Sequence, residues 1–208
     1  MTKKTDVIVI DNFLTPTYST VLYNDAKQYL QYAYIEKTSK PDHAGRDYDA
    51  GITDENTYDA GQFVCPVFDH EHPLGALKFD SYSLFLKPLI YTMMDKFPDY
   101  KLHSPMRIKI NLLLKQELFP ASHYNVAHVD NIHEDKWSLV YYLNDADGDT
   151  ILFNEFKSDY PDNLTVFKKI QPKKNRLVLF NSSRYHASSN PRLNSERLVI
   201  NTVMDTYK

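Results

Sequence analysis

The sequence predicts a mainly β fold with flanking helices, an α+β protein whose core is an antiparallel sandwich or jelly roll. Aromatic residues, which favour strands, are abundant, with 16 Tyr and 11 Phe among 208 residues. After Pro105 the chain contains short β-rich segments that turn signals separate, and no helical pattern intervenes. Both helical patterns come earlier. We therefore expect a jelly-roll core over residues 105–208, flanked by an N-terminal strand and helices over residues 1–104.

The first 104 residues contain one strand pattern and two helix patterns. "DVIVIDNFLT" predicts a short strand, and "TPTYSTVLYNDAKQYLQY" predicts a helix with Thr15 as its N-cap and Pro16 at its first position. "LKFDSYSLFLKPLIYTMMDKF" predicts a second helix, bent at Pro88. Residues 36–75, between the helices, are polar and predict a long loop.

The last hundred residues predict seven strands. They are "MRIKINLLL", "YNVAHVD", "KWSLVYYLN", "DTILFNEF", "LTVFKKIQ", "NRLVLFNS" and "ERLVINTVM". No internal repeat and no linker interrupts the chain, so we expect one domain over residues 1–208. "DADGDT" lacks the Gly and Glu spacing of an EF-hand and predicts a hairpin turn.

Composition narrows the classes of partner. A net charge of −3 and a pI near 6.2 lack the excess of positive charge that is typical of nucleic-acid-binding proteins. Cys65 is the single cysteine, which excludes an intramolecular disulfide framework. No apolar run is typical of a signal peptide or a membrane span, so we expect a cytoplasmic protein without a membrane partner.

The stretch "AHVDNIHED" contains the pattern His-any-Asp twice, as His128 with Asp130 and as His133 with Asp135. Two residues that lie two apart on a strand point to the same face and can bind one metal. The second pair leaves only Lys136 before the next predicted strand, which places that pair in the turn. We therefore favour His128 and Asp130 as the metal arm.

His186 is the candidate for a third ligand, because it follows the apolar strand around Leu177–Phe180. Two histidines and one carboxylate hold Fe(II) on one face and leave three positions open, as in non-haem oxygenases. A zinc-dependent hydrolase that uses the same three ligands is an alternative.

Polar residues at alternating positions predict a second binding group beside the metal. Arg197 and Asn201 share one face of "ERLVINTVM", and a buried Arg favours an anionic partner such as a dicarboxylate. Asn111 and Lys109 share one face of "MRIKINLLL". If that face is interior, either could contact the same anionic ligand, and we favour Asn111; if it is exterior, both are solvated. Of the two tyrosines in "LVYYLN", one must face the interior; we favour Tyr142.

Five stretches, in order, resemble the Fe(II)- and 2-oxoglutarate (2OG)-dependent oxygenases, nearest to the prolyl-4-hydroxylase-like group. They are "VIVIDNFLT", "HVD", "LVYYLNDADGDTILF", "NRLVLFNSSRYHAS" and "ERLVINTVM". The resemblance implies a double-stranded β-helix with Fe(II) held by His128, Asp130 and His186. It also implies 2OG as co-substrate bound through Arg197, O2 as oxidant and ascorbate as a possible reductant.

The resemblance further implies hydroxylation of a C–H bond in a peptide or a small molecule. The carboxylate of Asp130 disfavours halogenation. Glu196 stands where prolyl hydroxylases usually have a Lys ten residues after the distal His, and their Tyr-any-Pro-Gly run before the first metal arm is missing. The alternative to an enzyme is a binding or structural jelly-roll module without chemistry. The polar segments 36–75, 115–126 and 154–163 are expected to rim the pocket.

Overall fold

The structure is a computed structural model that describes residues 4–36, 51–70 and 79–207, with side chains from residue 85 onward in the last range. Its helices are α1 (Pro16–Gln28) and α2 (Phe79–Lys96). Its strands are β1 (Val7–Ile10), β2 (Ala33–Ile35), β3 (Gln62–Asp69), β4 (Leu102–Leu114), β5 (Trp137–Tyr142), β6 (Thr150–Phe156), β7 (Val166–Ile170), β8 (Arg176–Asn181), β9 (Arg184–Ser188) and β10 (Glu196–Thr206). Within these ranges, no helix is long and apolar enough to cross a membrane.

The strands form two antiparallel sheets, which confirms the jelly roll. The larger sheet has the order β1-β8-β5-β10-β4-β3-β2, and the smaller has the order β7-β6-β9. Strands that are neighbours in the larger sheet come from distant parts of the chain. This topology brings β4 and β10 side by side with Asn111 opposite Val199.

Alternation along the central strands separates two faces of the larger sheet. Leu139, Leu179 and Ile200 face the cluster that includes residues of both helices. Their neighbours one position along the chain form a cluster with Leu152 and Ile170 of the smaller sheet. The second face lies between the sheets, and this is the face that carries the polar residues of β4 and β10.

The start of α1 confirms the predicted cap. The Thr15 side chain accepts a hydrogen bond from the Tyr18 backbone N–H, and Pro16 occupies the first turn. Helix α2 continues through Pro88. Beside it, the Leu89 N–H donates to the Tyr18 hydroxyl at 3.1 Å, and that hydroxyl donates to the Phe85 carbonyl at 2.7 Å. Tyr18 thus bridges two backbone groups that a regular helix would pair directly.

Several predicted boundaries are wrong. Strand β3 lies inside the predicted loop 36–75; residues 37–50 and 71–75 of that loop lie outside the described residues. Pro66 made this segment a poor strand candidate, but β2 pairs only with residues 62–64 and a register shift follows Pro66. Strand β1 does not merely flank the core, because it pairs with β8 at the edge of the larger sheet.

Candidate metal centre

Three side chains meet between the sheets, those of His128, Asp130 and His186. Each offers a ligand atom, and these atoms lie within 4.8 Å of one another. His186 Nε2 lies 3.4 Å from Asp130 Oδ2, and the two imidazole centroids are 4.6 Å apart. The ligands of a metal with bonds of about 2.0–2.2 Å lie roughly 3 Å apart, so the arrangement fits a single ion.

The backbone holds the two histidines in register. His128 N–H donates to the His186 carbonyl and His186 N–H donates to the His128 carbonyl, both at 2.9 Å. The predicted strand over residues 124–130 forms isolated bridges of this kind instead of a regular strand. His186 lies on β9, a strand that the sequence did not predict, whereas we expected it where a strand meets a loop. The exposed His133 and Asp135 lie in the turn before β5.

Each imidazole ring is fixed by its second nitrogen. His128 Nδ1 lies 3.1 Å from the Val126 carbonyl, and His186 Nδ1 lies 3.1 Å from the Arg184 carbonyl. A carbonyl can only accept, so each Nδ1 carries the proton and donates. Each Nε2 therefore keeps a lone pair for a metal, which is the usual orientation of histidine ligands.

The Asp130 carboxylate is fully buried and held by residues of three strands. Ser138 Oγ of β5 donates to Oδ2 at 2.7 Å, and Arg107 Nη2 of β4 donates to Oδ1 at 2.5 Å. Asn201 Nδ2 of β10 lies 3.2 and 3.3 Å from the two oxygens. These donors fix the direction of both carboxylate oxygens.

The electrostatics of the centre suit a divalent cation. Burial opposes ionisation of Asp130, but the nearby His186, Arg107 and Lys109 lower its pKa well below the usual range. Burial and the adjacent His186 lower the pKa of His128 to about 3, and burial also lowers the pKa of His186. At neutral pH the centre thus has two neutral imidazoles and one carboxylate, the protonation states that metal binding requires.

A pocket extends from the centre to Arg197 and shares its walls with both histidines. Its other lining residues are Gln62, Lys109, Asn111, Val140, Thr150, Ala187, Ser188, Val199 and Asn201. Arg197 is 3% exposed. Its Nε donates to the Gly148 carbonyl at 2.8 Å and its Nη2 donates to Thr150 Oγ1 at 2.7 Å. In the part of the chain that the structure describes, no carboxylate forms an ion pair with Arg197.

The residues predicted to bind a co-substrate lie along this pocket. Asn111 of β4 lies opposite Val199, and Asn201 is four residues from Arg197 on β10. Tyr142 lies beneath Arg197, with 5.6 Å between the guanidinium carbon and the ring centroid, and its hydroxyl donates to Thr150. Tyr141 faces the helices, where its hydroxyl contacts Ser19.

Sequence reasoning missed four residues that support the site: Arg107, Ser138, Gly148 and Thr150. Ser138 shares the inward face of β5 with Val140 and Tyr142, so alternation could have found it. Thr150 and Gly148 lie in the predicted hairpin turn, where no pattern indicated a contact with Arg197. A Cβ on Gly148 would approach the Ser189 carbonyl oxygen to 2.3 Å, so this position requires glycine.

The sequence around the centre matches one known family. A family model described as the 2OG-Fe(II) oxygenase superfamily matches residues 117–204. Residues 117–204 belong to this superfamily. This oxygenase segment includes all three candidate metal ligands and Arg197; Lys109 and Asn111 precede it. No curated protein matches the chain in sequence.

Solved structures share the fold at low sequence identity. A 2OG-Fe(II) oxygenase family oxidoreductase from Burkholderia pseudomallei is 14% identical, with a TM-score of 0.61 over 97% of this chain and 86% of that one. A prolyl hydroxylase from Trichoplax adhaerens, in complex with a hypoxia inducible factor peptide, is 20% identical with a TM-score of 0.52, over 96% and 83%. HygX from Streptomyces hygroscopicus, with nickel and 2OG bound, is 12% identical with a TM-score of 0.54, over 98% and 84%.

Proposed function

We propose that this protein is an Fe(II)- and 2OG-dependent dioxygenase that hydroxylates a C–H bond of its substrate. The observation that carries the proposal is the meeting of His128, Asp130 and His186 within 4.8 Å in an oxygenase segment. Arg197 in the same pocket is buried and has no ion-pair partner among the described residues, which supports a dicarboxylate co-substrate.

His128, Asp130 and His186 would hold Fe(II), whose preferred ligands in oxygenases are two imidazoles and one carboxylate. When bound, Fe(II) would supply the activation of O2 that couples decarboxylation of 2OG to succinate with oxidation of the substrate. The chain contributes orientation, because Ser138 and Asn201 fix the carboxylate and backbone carbonyls fix both rings. A carboxylate at position 130 supports hydroxylation over halogenation.

Arg197 would bind the distal carboxylate of 2OG. The carboxylate would neutralise the buried guanidinium, which Gly148 and Thr150 already hold in place. Tyr142 positions Thr150 and packs beneath Arg197. Asn111 lies midway along the pocket and would contact the body of the co-substrate. Asn201 donates to Asp130 and lies at the metal end, where it would contact the chelating end of 2OG.

The substrate is proposed to be a peptide or a small molecule. The Trichoplax relative binds a peptide, and the pocket is lined by polar groups that suit either class. Ascorbate would serve as a reductant of the iron. One oxygenase domain over residues 1–208 and a cytoplasmic location remain predictions.

The test is anaerobic binding followed by turnover. Wild type, His128→Ala and the control His133→Ala would be loaded with Fe(II) and 2OG, and the weak visible charge-transfer absorption of the chelate measured. Air would then be admitted and succinate quantified. We expect absorption and succinate in wild type and His133→Ala, and neither in His128→Ala. A folded wild type that lacks both would favour a non-catalytic module, and hydrolysis with Zn(II) alone would favour a zinc hydrolase.

A further inference from the structure

Lys109 is a cation of the pocket on which the carboxylates of Asp130 and Asp69 act only from beyond ion-pair distance. It lies on the inward face of β4, directly opposite Asn201 of β10, and lines the same pocket as His128 and Arg197. Among the described residues, its ammonium group makes no hydrogen bond and no ion pair. Partial burial of a charge without a partner costs free energy, so the position favours a ligand that supplies the opposite charge.

The other two cations near the centre already have a partner or an assigned ligand. Arg107 is paired with Asp130 at 2.5 Å, and Arg197 bonds Gly148 and Thr150 beside the proposed co-substrate position. Among the described residues that line the pocket, Lys109 is therefore the cation with neither a direct partner nor an assigned ligand, and an anionic group of a ligand is the occupant that its charge favours.

The position of Lys109 separates it from the distal carboxylate of 2OG. Asn201 lies four residues from Arg197, about 13 Å along a strand that rises about 3.3 Å per residue. Lys109 is opposite Asn201, so it lies at the metal end of the pocket and on the side of β3. Lys109 and Arg197 therefore line opposite ends of the pocket, which favours separate anionic groups for the two cations.

Two buried acceptors lie beside Lys109. The Oδ1 atoms of Asn111 and Asn201 are buried and accept no hydrogen bond from any residue that the structure describes. The orientation of the Asn201 amide is fixed, because its Nδ2 donates to a carboxylate that can only accept. Its Oδ1 cannot pair with the Asp130 carboxylate, which has no hydrogen to donate, and therefore requires a donor from another group.

We propose that Lys109 binds a carboxylate of the primary substrate, while the amide oxygens of Asn111 and Asn201 accept hydrogen bonds from a neighbouring N–H or O–H group of that substrate. Because 2OG offers only acceptor atoms, it would be contacted by the Nδ2 groups of these side chains, which leaves both amide oxygens for the substrate. This inference rests on the proposed oxygenase function and narrows its substrate class to carboxylic acids. The carboxylate has two sources that fit this chemistry. One is a free acid with an adjacent donor, such as an α-amino acid, and the other is an Asp or Glu side chain of a peptide.

The test measures binding to the protein loaded with Mn(II) and 2OG, which does not turn over. The first arm uses the L-amino acids against their α-amides. The second arm uses acetylated and amidated peptide libraries with one fixed Asp or Glu against matched libraries with Asn or Gln. We expect a carboxylate probe from one arm to bind at least tenfold more tightly than its amide. The arm that contains it identifies the source.

Three variants test the residue itself. Lys109→Met, which keeps the length of the side chain, should abolish the preference for the carboxylate and leave the Kd of 2OG within twofold. Lys109→Arg should keep part of the preference, and Lys168→Met, on the exposed strand β7, should behave as wild type. Addition of the identified probe to the Fe(II) protein in air should raise succinate formation in wild type more than in Lys109→Met.

The proposal is overturned if Lys109→Met raises the Kd of 2OG tenfold, since Lys109 would then bind the co-substrate. It is also overturned if the variant keeps the carboxylate preference, or if no carboxylate probe in either arm binds better than its amide. Failure of the oxygenase function is a separate result. In that case the wild type binds no Mn(II) or no 2OG, before any substrate probe is added.

Discussion

Replacement of Arg197 by Met should remove selection for the distal carboxylate of 2OG. The guanidinium is buried, and in the described part of the chain its partners are neutral: the Gly148 carbonyl, Thr150 Oγ1 and the Tyr142 ring. Its charge is therefore available to a ligand carboxylate. Met fills a similar volume without the charge, so the change tests the charge and not the space.

The magnitude follows from the bonds that the carboxylate would gain. Hydrogen bonds to charged groups contribute about 1.5–3 kcal/mol each, and a guanidinium can offer a carboxylate two of them. Two bonds at the lower end of that range give about 3–4 kcal/mol, which corresponds to on the order of a 100- to 1000-fold change in Kd. Arg197→Lys keeps the charge but cannot form the two parallel hydrogen bonds, so it should raise the Kd of 2OG less than Arg197→Met does.

The assay compares 2OG with 2-oxopentanoate, which has a methyl group in place of the distal carboxylate. Both would be titrated into the Mn(II)-loaded wild type, Arg197→Met and the control Arg192→Met, whose side chain is exposed. Wild type and control should prefer 2OG by two to three orders of magnitude, whereas Arg197→Met should bind both acids alike. A folded Arg197→Met protein that still prefers 2OG would refute the assignment.

Three further predictions concern the metal, a helix and the edge of the larger sheet. His128→Ala should abolish tight binding of Mn(II), measured by calorimetry, while His133→Ala should bind as wild type; the reverse result would place the metal on the other arm. Tyr18→Phe should lower the free energy of unfolding in urea by about 1–3 kcal/mol, since two partly buried backbone groups lose their shared partner, and an unchanged midpoint would contradict this role. Asp11 is largely exposed, and hydrogen bonds from Arg176 and Lys173 lower its pKa to about 2. Asp11→Asn should lower the free energy of unfolding by at most about 1 kcal/mol at pH 7. This difference should disappear as the pH falls from 4 towards 2, where the folded-state carboxylate is protonated. A difference that is constant with pH would exclude the ion pair.

The β core was predictable because alternation is a local signal. Leu177, Leu179 and their neighbours in β8 are apolar on both faces, as expected for a strand buried between helices and a second sheet. The choice of His128 and Asp130 as the candidate metal arm rests on a different signal. This pair precedes a turn long enough to reverse the chain, whereas the pair His133 and Asp135 leaves only Lys136 before β5. Both inferences need only the order of residues along the chain.

The structural features that the sequence analysis did not predict depend on contacts between distant segments of the chain. Strand β9 consists of only five residues, and its partner β6 lies about thirty residues earlier, so no local pattern indicates its pairing. Strand β3 contains Pro66, which local propensity excludes, but its neighbour β2 ends before that residue. The roles of Thr150 and Gly148 depend on where the Arg197 side chain ends, which is fixed only when β10 and the hairpin before β6 come together.

The placement of the ligands joins the two sheets at one point. Asp130 is held by side chains of β4, β5 and β10, all within the larger sheet, whereas His186 belongs to the smaller sheet through β9. His128 lies between them and is fixed by two backbone hydrogen bonds to His186. A metal bound by all three would link the sheets where the pocket opens between them. The same ion that supplies the chemistry would therefore also fix the width of the pocket, and its binding should raise the free energy of unfolding by the amount that its affinity sets.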